Sequence, residues 1–220
     1  MKIFLVRHGQ TKWNKDSICR GRLDVELDET GISQAAATGK ALSHLEFEAV
    51  YSSPLKRAMK TAEEIAAFHK SHNPNSNIAL TVTPVDGLID IDFGEWQGLT
   101  IEEVSQRYPD IYRLWQREPQ NVRFPGGESL DEVSQRATSA MKSLIAKHPE
   151  GNIVMVSHRV VNKVLLCAAL GLDNSHFWLI GQDTCCINVI EPAYDRYIIH
   201  TLNDTCHIKR LGEVPTLRYF

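Results

Sequence analysis

Short apolar runs alternate along the chain with longer segments of helical periodicity, and this alternation limits the fold more than any other feature. Four runs predict strands, namely buried strands at 2–6 and 152–157, a strand at 49–51 and an alternating strand at 78–85. Because helical segments separate them, the pattern favours an α/β fold, a three-layer sandwich with a mostly parallel sheet and helices on both faces. Two later runs, 186–191 and 196–201, predict one late antiparallel hairpin at the edge of the sheet.

Local signals predict where several helices begin. Thr30 is a predicted N-cap for a helix whose buried face includes Ile32. Pro54 suits the first turn of the next helix, because its missing N–H costs nothing there. Two later helices are predicted from capping boxes, Thr100 with Glu103 and Ser129 with Glu132.

The chain has 220 residues, of which 43% are hydrophobic, and this is enough to bury the core of one domain. We therefore expect residues 1–220 to form a single domain. The segment from about residue 88 to residue 128 lies between a predicted strand and a predicted long helix. It is expected to form a helical flap over one end of the sheet.

Charge and cysteine content exclude several classes of partner. A net charge of -3 creates no general attraction for nucleic acid or an anionic membrane. The first apolar run ends at Arg7, far short of a signal peptide or a membrane span. Five cysteines without metal-type spacing indicate reduced thiols. We expect a cytoplasmic protein with no nucleic-acid or membrane partner, in which any bound anion is held by local positive charge.

Two histidines directly follow predicted strands. His8 lies between Arg7 and Gly9 after the first strand, and His158 follows Ser157 at the end of the strand at 152–157. Ligands of such folds bind beyond the carboxyl ends of parallel strands. We therefore expect the two histidines and Arg7 to share one site.

A further cation and an acidic loop fall at the same end of the predicted sheet. Arg57 lies in the first turn of a helix, where a cation opposes the helix dipole. It is either a solvated surface residue or, with the helix N-terminus, a ligand for an oxyanion. The segment 88–98 places acids between glycines and beside aromatic residues. A carboxyl shielded in this way can acquire a pKa high enough to protonate a leaving group.

Six motifs spread along essentially the whole chain resemble those of the histidine phosphatases in the phosphoglycerate mutase-like superfamily. They are RHGQTKWN at 7–14, LDETG at 27–31, SSPLKRA at 52–58, FGEWQG at 93–98, PGGES at 125–129 and VSH at 156–158. The resemblance implies that His8 is the nucleophile that becomes phosphohistidine. It also implies that Arg7, Arg57 and His158 bind the transferring phosphoryl group, with Asn14 adding a donor. Phosphoryl transfer mainly requires positioning and charge neutralisation, so neither a metal nor a cofactor is expected.

The sequence departs from the family pattern at the acid. The family's usual glutamate before FG-x-W is replaced at the matching position by Asp90. Asp90 keeps the carboxyl but has a side chain shorter by one methylene, and it is the predicted proton donor. Asp92 and Glu95 are the alternatives.

The short stretch between Asp90 and His158 resembles the compact phosphatases of the family more than the mutases. The resemblance therefore implies hydrolysis of a small phosphomonoester, such as phosphoserine, a phosphoglycerate or a sugar phosphate. The chain looks most like the metal-independent phosphoserine phosphatases. Three alternatives remain open, namely a cofactor-dependent phosphoglycerate mutase, an alpha-ribazole phosphatase and a non-enzymatic protein that binds phosphate ligands.

The substrate is expected to be a small phosphorylated metabolite. Arg20, Gly21 and Arg159 flank the proposed site and are predicted to bind it, the arginines as ligands for a carboxylate or a second phosphate. Phe177, Trp178 and the late hairpin suit either an apolar homodimer face or packing within one monomer.

Overall fold

The computed structural model describes residues 1–15, 17–72 and 80–209. The strands are β1 Ile3–Arg7, β2 Ala49–Ser52, β3 Val82–Pro84, β4 Ile153–Ser157, β5 Ile187–Ala193 and β6 Arg196–Asp204. The α-helices are α1 Lys12–Lys15, α2 Glu29–Leu42, α3 Lys56–His72, α4 Ile101–Arg107, α5 Pro109–Arg117, α6 Leu130–Lys147, α7 Arg159–Ala169 and α8 Cys206–Lys209.

The strands form one sheet in the order β3-β2-β4-β1-β5-β6. The first four of these are mutually parallel, whereas β5 is antiparallel to β1, and β6 is antiparallel to β5. The predicted mostly parallel sheet with one late antiparallel edge hairpin is confirmed. Arg7 pairs with Ser157 at the ends of β1 and β4. The two residues that follow these strands therefore lie side by side.

Helices cover both faces of the sheet, as predicted. Phe4 and Val6 of β1 pack with residues of α2 and α3, whereas Ile3 and Leu5 pack with residues of α6 and α7. Side chains of a strand alternate between its two faces, so a run that is apolar at every position is buried on both. The all-buried pattern of β1 and β4 follows from this arrangement.

The boundaries of the early helices differ from those predicted. The N-cap of α2 is Asp28, whose side chain accepts from the N–H of Gly31, so Thr30 lies inside the helix. Ile32 is 45% exposed, and the prediction that it is buried is wrong. Asp28 and Thr30 both suit the N-cap position, but Asp is a stronger capping residue than Thr, by roughly a few tenths of a kcal/mol. Helix α3 begins at Lys56, after Pro54 rather than at it.

Both predicted capping boxes are present. The side chains of Thr100 and Ser129 accept from the N–H groups of Glu103 and Glu132, whose carboxylates accept in return. Helices α4 and α6 begin directly after them. Because this signal lies within four consecutive residues, the sequence alone is enough to place it.

Two other segments require correction. The polar stretch from Arg7 to Glu29 has no helical periodicity, so its sequence predicts a loop, but it contains the single turn α1. The strand predicted at 78–85 is shorter, since β3 covers Val82–Pro84, and residues 78 and 79 lie outside the described residues. The segment 88–128 contains α4 and α5. That this segment is an inserted flap, and that residues 1–220 form one domain, stay predictions.

Other sequence predictions concern cysteines, membranes and assembly. All five cysteines are free thiols, and four of them are buried. Among the described residues, no helix is both long enough and apolar enough to cross a membrane. Phe177 is buried, and the ring of Trp178 packs against Trp115, so these side chains pack within the monomer. The homodimer stays a prediction.

Candidate active site

The ends of β1 and β4 bring His8 and His158 together. The N–H of His8 donates to the carbonyl of Ser157 at 3.0 Å. The two imidazole centroids are 5.1 Å apart, and both side chains are fully buried. The parallel pairing of two distant strands thus explains why histidines 150 positions apart in the chain share one site.

The two ring nitrogens of His8 have different surroundings. Nδ1 lies 2.6 Å from the carbonyl oxygen of Gly9, and an oxygen acceptor there requires the proton on Nδ1. Nε2 is buried and has no hydrogen-bond partner among the described residues. Burial, followed by the positive charges of Arg57, Arg20 and Arg7, holds the pKa of His8 well below its ordinary value. His8 is therefore a neutral imidazole with an unshared electron pair on Nε2.

The turn that carries His8 is fixed by close backbone packing. A Cβ atom at Gly9 would lie 2.5 Å from the carbonyl oxygen of Gly31, so no larger residue fits there. The N–H of Gly9 donates to Oγ1 of Thr61 on α3 at 3.1 Å. The start of α2 and the body of α3 therefore hold the loop that carries His8 in place.

Two guanidinium groups are anchored by backbone carbonyls. Arg7 Nη1 donates to the carbonyl of Gln182 at 2.6 Å. Arg57 donates to the carbonyls of Leu23 and Gly21, at 2.9 and 2.8 Å. The Nε atoms of both arginines are buried without a partner among the described residues. A buried N–H donor without an acceptor is costly, so these groups are suited to binding an oxyanion.

Asp90 lies between Arg57 and His158. Its Oδ2 is 3.1 Å from Arg57 Nη2 and 3.5 Å from His158 Nδ1, while Oδ1 accepts from the N–H of Ile91 at 3.0 Å. The carboxyl group therefore sits among the groups proposed to hold phosphate. The alternative acids point elsewhere, because Asp92 accepts from the N–H of Gly94 and Glu95 accepts from the hydroxyl of Tyr108.

His158 is oriented by a hydroxyl group. Its Nε2 lies 2.7 Å from Oγ of Ser53, and its Nδ1 faces Asp90. Burial, followed by the charges of Arg57 and His8, lowers the pKa of His158 well below its ordinary value. Its ring therefore has one nitrogen fixed by Ser53 and the other directed to the carboxyl of Asp90.

The residues predicted to bind substrate lie along one cleft, which Arg7 and Asp90 also line. Asn14 Oδ1 accepts from Thr11, so its amide nitrogen is the atom left to donate. Arg20 donates to the hydroxyl of Thr11 at 3.0 Å, and burial, with Arg57 and Arg7, lowers its pKa to about 9.

Gly21 and Arg159 also line the cleft but differ in what they offer a ligand. Gly21 has no side chain, and its carbonyl holds Arg57, so its contact is a positioning one. The guanidinium of Arg159 lies 5.9 Å from the ring centroid of Trp178. Burial, followed by the charge of Arg7, lowers the pKa of Arg159 to about 10.

Sequence reasoning missed the residues that position the side chains and the loop of the site. Gln182 anchors Arg7 through a main-chain carbonyl, and no feature of the sequence marks such a contact. Ser53 was part of a recognised motif, but its contact with His158 was not foreseen. Arg136 of α6 donates to three carbonyls of the loop that carries Asp90. Among the described residues, no group of three or more His, Cys, Asp or Glu side chains is placed to hold a metal ion.

Comparison with known proteins agrees with this geometry. The model of the histidine phosphatase superfamily (branch 1) matches residues 3–205. A protein of Hydrogenobacter thermophilus named phosphoserine phosphatase 1 is 39% identical over 94% of this chain and 94% of its own. The solved structure of YhfR from Bacillus stearothermophilus has a TM-score of 0.86 at 28% identity, over 94% of this chain and 98% of its own. A phosphoserine phosphatase of Entamoeba histolytica, solved with 3-phosphoglyceric acid, has a TM-score of 0.82 at 26% identity, over 94% and 98%.

Proposed function

The chain belongs to the histidine phosphatase superfamily, branch 1, and from this premise we propose that it works through a phosphohistidine formed on Nε2 of His8. It is a metal-independent phosphomonoesterase that acts on small phosphate esters. The observation that carries the proposal is the state of His8. Its Nδ1 donates to the carbonyl of Gly9. Its Nε2 keeps an unshared electron pair and lies near the positive charges of Arg57, Arg20 and Arg7.

In the first step, Nε2 of His8 attacks phosphorus and the bond from phosphorus to the ester oxygen breaks. The departing oxygen takes the proton of the Asp90 carboxyl, so the products are phosphohistidine, the free alcohol and the Asp90 carboxylate. Arg7 and Arg57 are proposed to neutralise the transferring phosphoryl group through their donors. His158 and Asn14 complete its binding.

In the second step, a water molecule gives a proton to the Asp90 carboxylate and its oxygen attacks phosphorus. The bond from phosphorus to Nε2 breaks, inorganic phosphate leaves, and both His8 and Asp90 return to their starting states. One carboxyl thus serves as acid and then as base. The position of Asp90 supports this role, because it lies within 3.5 Å of Arg57 and His158, the residues proposed to bind the phosphoryl group.

The relatives support phosphatase activity, but they do not identify the alcohol that is esterified to phosphate in the substrate. Phosphoserine is a proposed substrate because of the Hydrogenobacter thermophilus relative, and phosphoglycerates, sugar phosphates and α-ribazole phosphate remain candidates. The ligand is proposed to be a small phosphorylated metabolite, with neither nucleic acid nor membrane as a partner. Five free cysteines favour a reducing compartment, so the proposed location is the cytoplasm.

A kinetic screen in EDTA tests this function against the mutase and the binding protein. We expect inorganic phosphate to be released from alkyl and aryl phosphomonoesters at rates that the chelator does not change. We also expect no net conversion of 3-phosphoglycerate to 2-phosphoglycerate when 2,3-bisphosphoglycerate is supplied. Conversion faster than hydrolysis would identify a mutase. Phosphate binding without release from any ester would identify a binding protein and overturn the proposal.

A further inference from the structure

Beyond the phosphate-binding residues, the cleft has mostly apolar walls. Its lining includes Trp13, Ile18, Phe93, Val160 and Trp178, together with Asp90 at the reacting end. Asp90 is the proposed donor of a proton to the ester oxygen. The alcohol part of the bound ester is therefore expected to extend from the reacting centre toward these walls.

Neighbouring aromatic rings pack against the aromatic side chains of these walls. The indole N–H of Trp178 donates to the carbonyl of Trp115 at 2.7 Å, so it is directed away. The ring of Phe93 packs edge-on against Phe124, with centroids 4.8 Å apart, and Trp115 packs against Trp178 at 5.1 Å. A pre-formed apolar surface binds a ring without an ordering cost.

The charges in the cleft disfavour an ammonium group on the alcohol. Arg159 lies 5.9 Å from the Trp178 ring centroid, and Lys163 Nζ lies 4.5 Å from it. Burial, followed by the charges of Arg159 and Arg7, lowers the pKa of Lys163 to about 6, so the positive charge beside the Trp178 ring near neutral pH is that of Arg159. Among the described lining residues, Asp90 has the sole acidic side chain, and its carboxyl group is engaged with Arg57 and His158. The ammonium of an amino-acid head group would lie near the positive charge of Arg159, with no free carboxylate among the described lining residues to pair with it.

We propose that this part of the cleft is a subsite for an apolar, ring-bearing alcohol, so that the preferred substrates are phosphomonoesters of such alcohols. The proposal rests on the proposed phosphatase function and names its substrate class. An amino-acid ester such as phosphoserine is a poorer substrate on this account. The phosphate end of the ligand is bound as described above in both cases.

The test compares three alkyl esters with similarly poor leaving groups, namely 2-phenylethyl phosphate, ethyl phosphate and O-phosphoserine. We expect kcat/KM for 2-phenylethyl phosphate to exceed that for ethyl phosphate by about tenfold or more, because a phenyl ring is removed from water. O-phosphoserine is expected to fall below 2-phenylethyl phosphate by a similar factor. Equal turnover of the first two, or a preference for O-phosphoserine, would overturn the subsite while leaving the phosphatase intact.

Two variants assign the preference to the walls. In Trp13→Ala and in Phe93→Ala, the ratio of kcat/KM for the phenylethyl and ethyl esters is expected to fall toward one. Because both esters are measured on the same protein, the ratio is independent of the folded fraction. Tyr194→Ala, at a fully exposed aromatic residue in the turn of the hairpin, is the control and should keep the wild-type ratio. Unchanged ratios in both cleft variants would contradict the proposal, and no hydrolysis of any ester would overturn the phosphatase function itself.

A separate observation concerns Arg136, in the interior of α6. Its Nη1 donates to the carbonyls of Gly87 and Ile89, at 3.0 and 2.7 Å, and its Nη2 donates to the carbonyl of Asp90 at 3.1 Å. The carboxylate of Glu128 accepts from Nε and Nη2 of Arg136, at 2.9 and 3.0 Å. It also accepts from the N–H of Asp92. One side chain thus holds the main chain of the acid loop from within the protein.

The geometry points to Arg136 as a positioning residue for the Asp90 carboxyl. It touches the main chain of the loop, and it acts on the reaction only through Asp90. Its loss is therefore expected to impair proton donation more than phosphate binding. A guanidinium group is needed here because its coplanar N–H donors bond to three carbonyl oxygens at once.

Arg136→Met is expected to lower kcat/KM for ethyl phosphate by about tenfold or more, and kcat/KM for p-nitrophenyl phosphate by much less, because kcat/KM reports the first step and only the ethyl ester needs the acid there. The double variant with Asp90→Asn should lose no more than Asp90→Asn alone on ethyl phosphate, because both changes remove the same proton transfer. Arg123→Met, which removes an exposed ion pair with Glu132, is the control. Equal losses on both esters, or additive losses in the double variant, would show a merely structural role.

Discussion

Replacement of His8 by asparagine is expected to lower kcat/KM for phosphomonoester hydrolysis by about 10⁴-fold or more. The amide of asparagine is polar and of similar size, but it has no nitrogen electron pair able to attack phosphorus. The buried cations Arg7 and Arg57 remain, so binding of inorganic phosphate should persist in the variant. The measurement is kcat/KM on p-nitrophenyl phosphate and on an alkyl phosphate, with phosphate binding followed by calorimetry.

The matched control is His44→Asn, at an exposed histidine that does not line the cleft. It should keep wild-type kinetics on both esters. If His8→Asn retained activity within about tenfold of wild type, a water molecule would be attacking phosphorus directly, and His8 would be a binding group only.

The second large effect is expected at Asp90. Asp90→Asn keeps a side chain that can accept from Ile91, but it cannot donate a proton to the ester oxygen. Hydrolysis of alkyl phosphates should fall by about 10²- to 10⁴-fold, the usual contribution of general acid catalysis. The first step with p-nitrophenyl phosphate should change far less, because p-nitrophenolate leaves without protonation.

Asp90 also pairs with Arg57, so some loss common to both esters is expected from altered phosphate binding. The ratio of the two losses is therefore the informative quantity. Asp92→Asn is the control, since Asp92 is bonded to the N–H of Gly94 and does not line the cleft. An equal loss of kcat/KM on both esters in Asp90→Asn, or a selective loss of kcat/KM in Asp92→Asn, would show that Asp90 is not the acid of the first step.

The positions of the two histidines and of Arg57 were predictable because each is marked by a signal that is local in sequence. His8 and His158 come directly after apolar runs, and parallel strands bring such ends to one edge. Arg57 stood out because a cation in the first turn of a helix lacks a stabilising reason of its own. The capping boxes of α4 and α6 were equally local.

What escaped prediction depends on contacts between distant segments. Arg136 and Gln182 act through main-chain carbonyls of loops that the sequence does not place near them. The aromatic walls of the cleft combine Trp13, Phe93 and Trp178, which only the tertiary fold brings together. The exposure of Ile32 was likewise not predictable from periodicity, because the pattern does not say where the covering layer ends.

The most direct test of the account is detection of the covalent intermediate on His8. Asp90→Asn is mixed with p-nitrophenyl phosphate, quenched in alkaline denaturant and analysed by peptide mass spectrometry. In this variant the first step needs no acid, whereas the second step lacks its base, so phosphohistidine should accumulate. The account predicts one acid-labile phosphoryl group on the peptide that contains His8, and none in His8→Asn. Turnover with no phosphorylated His8, or with the label on His158, would contradict it.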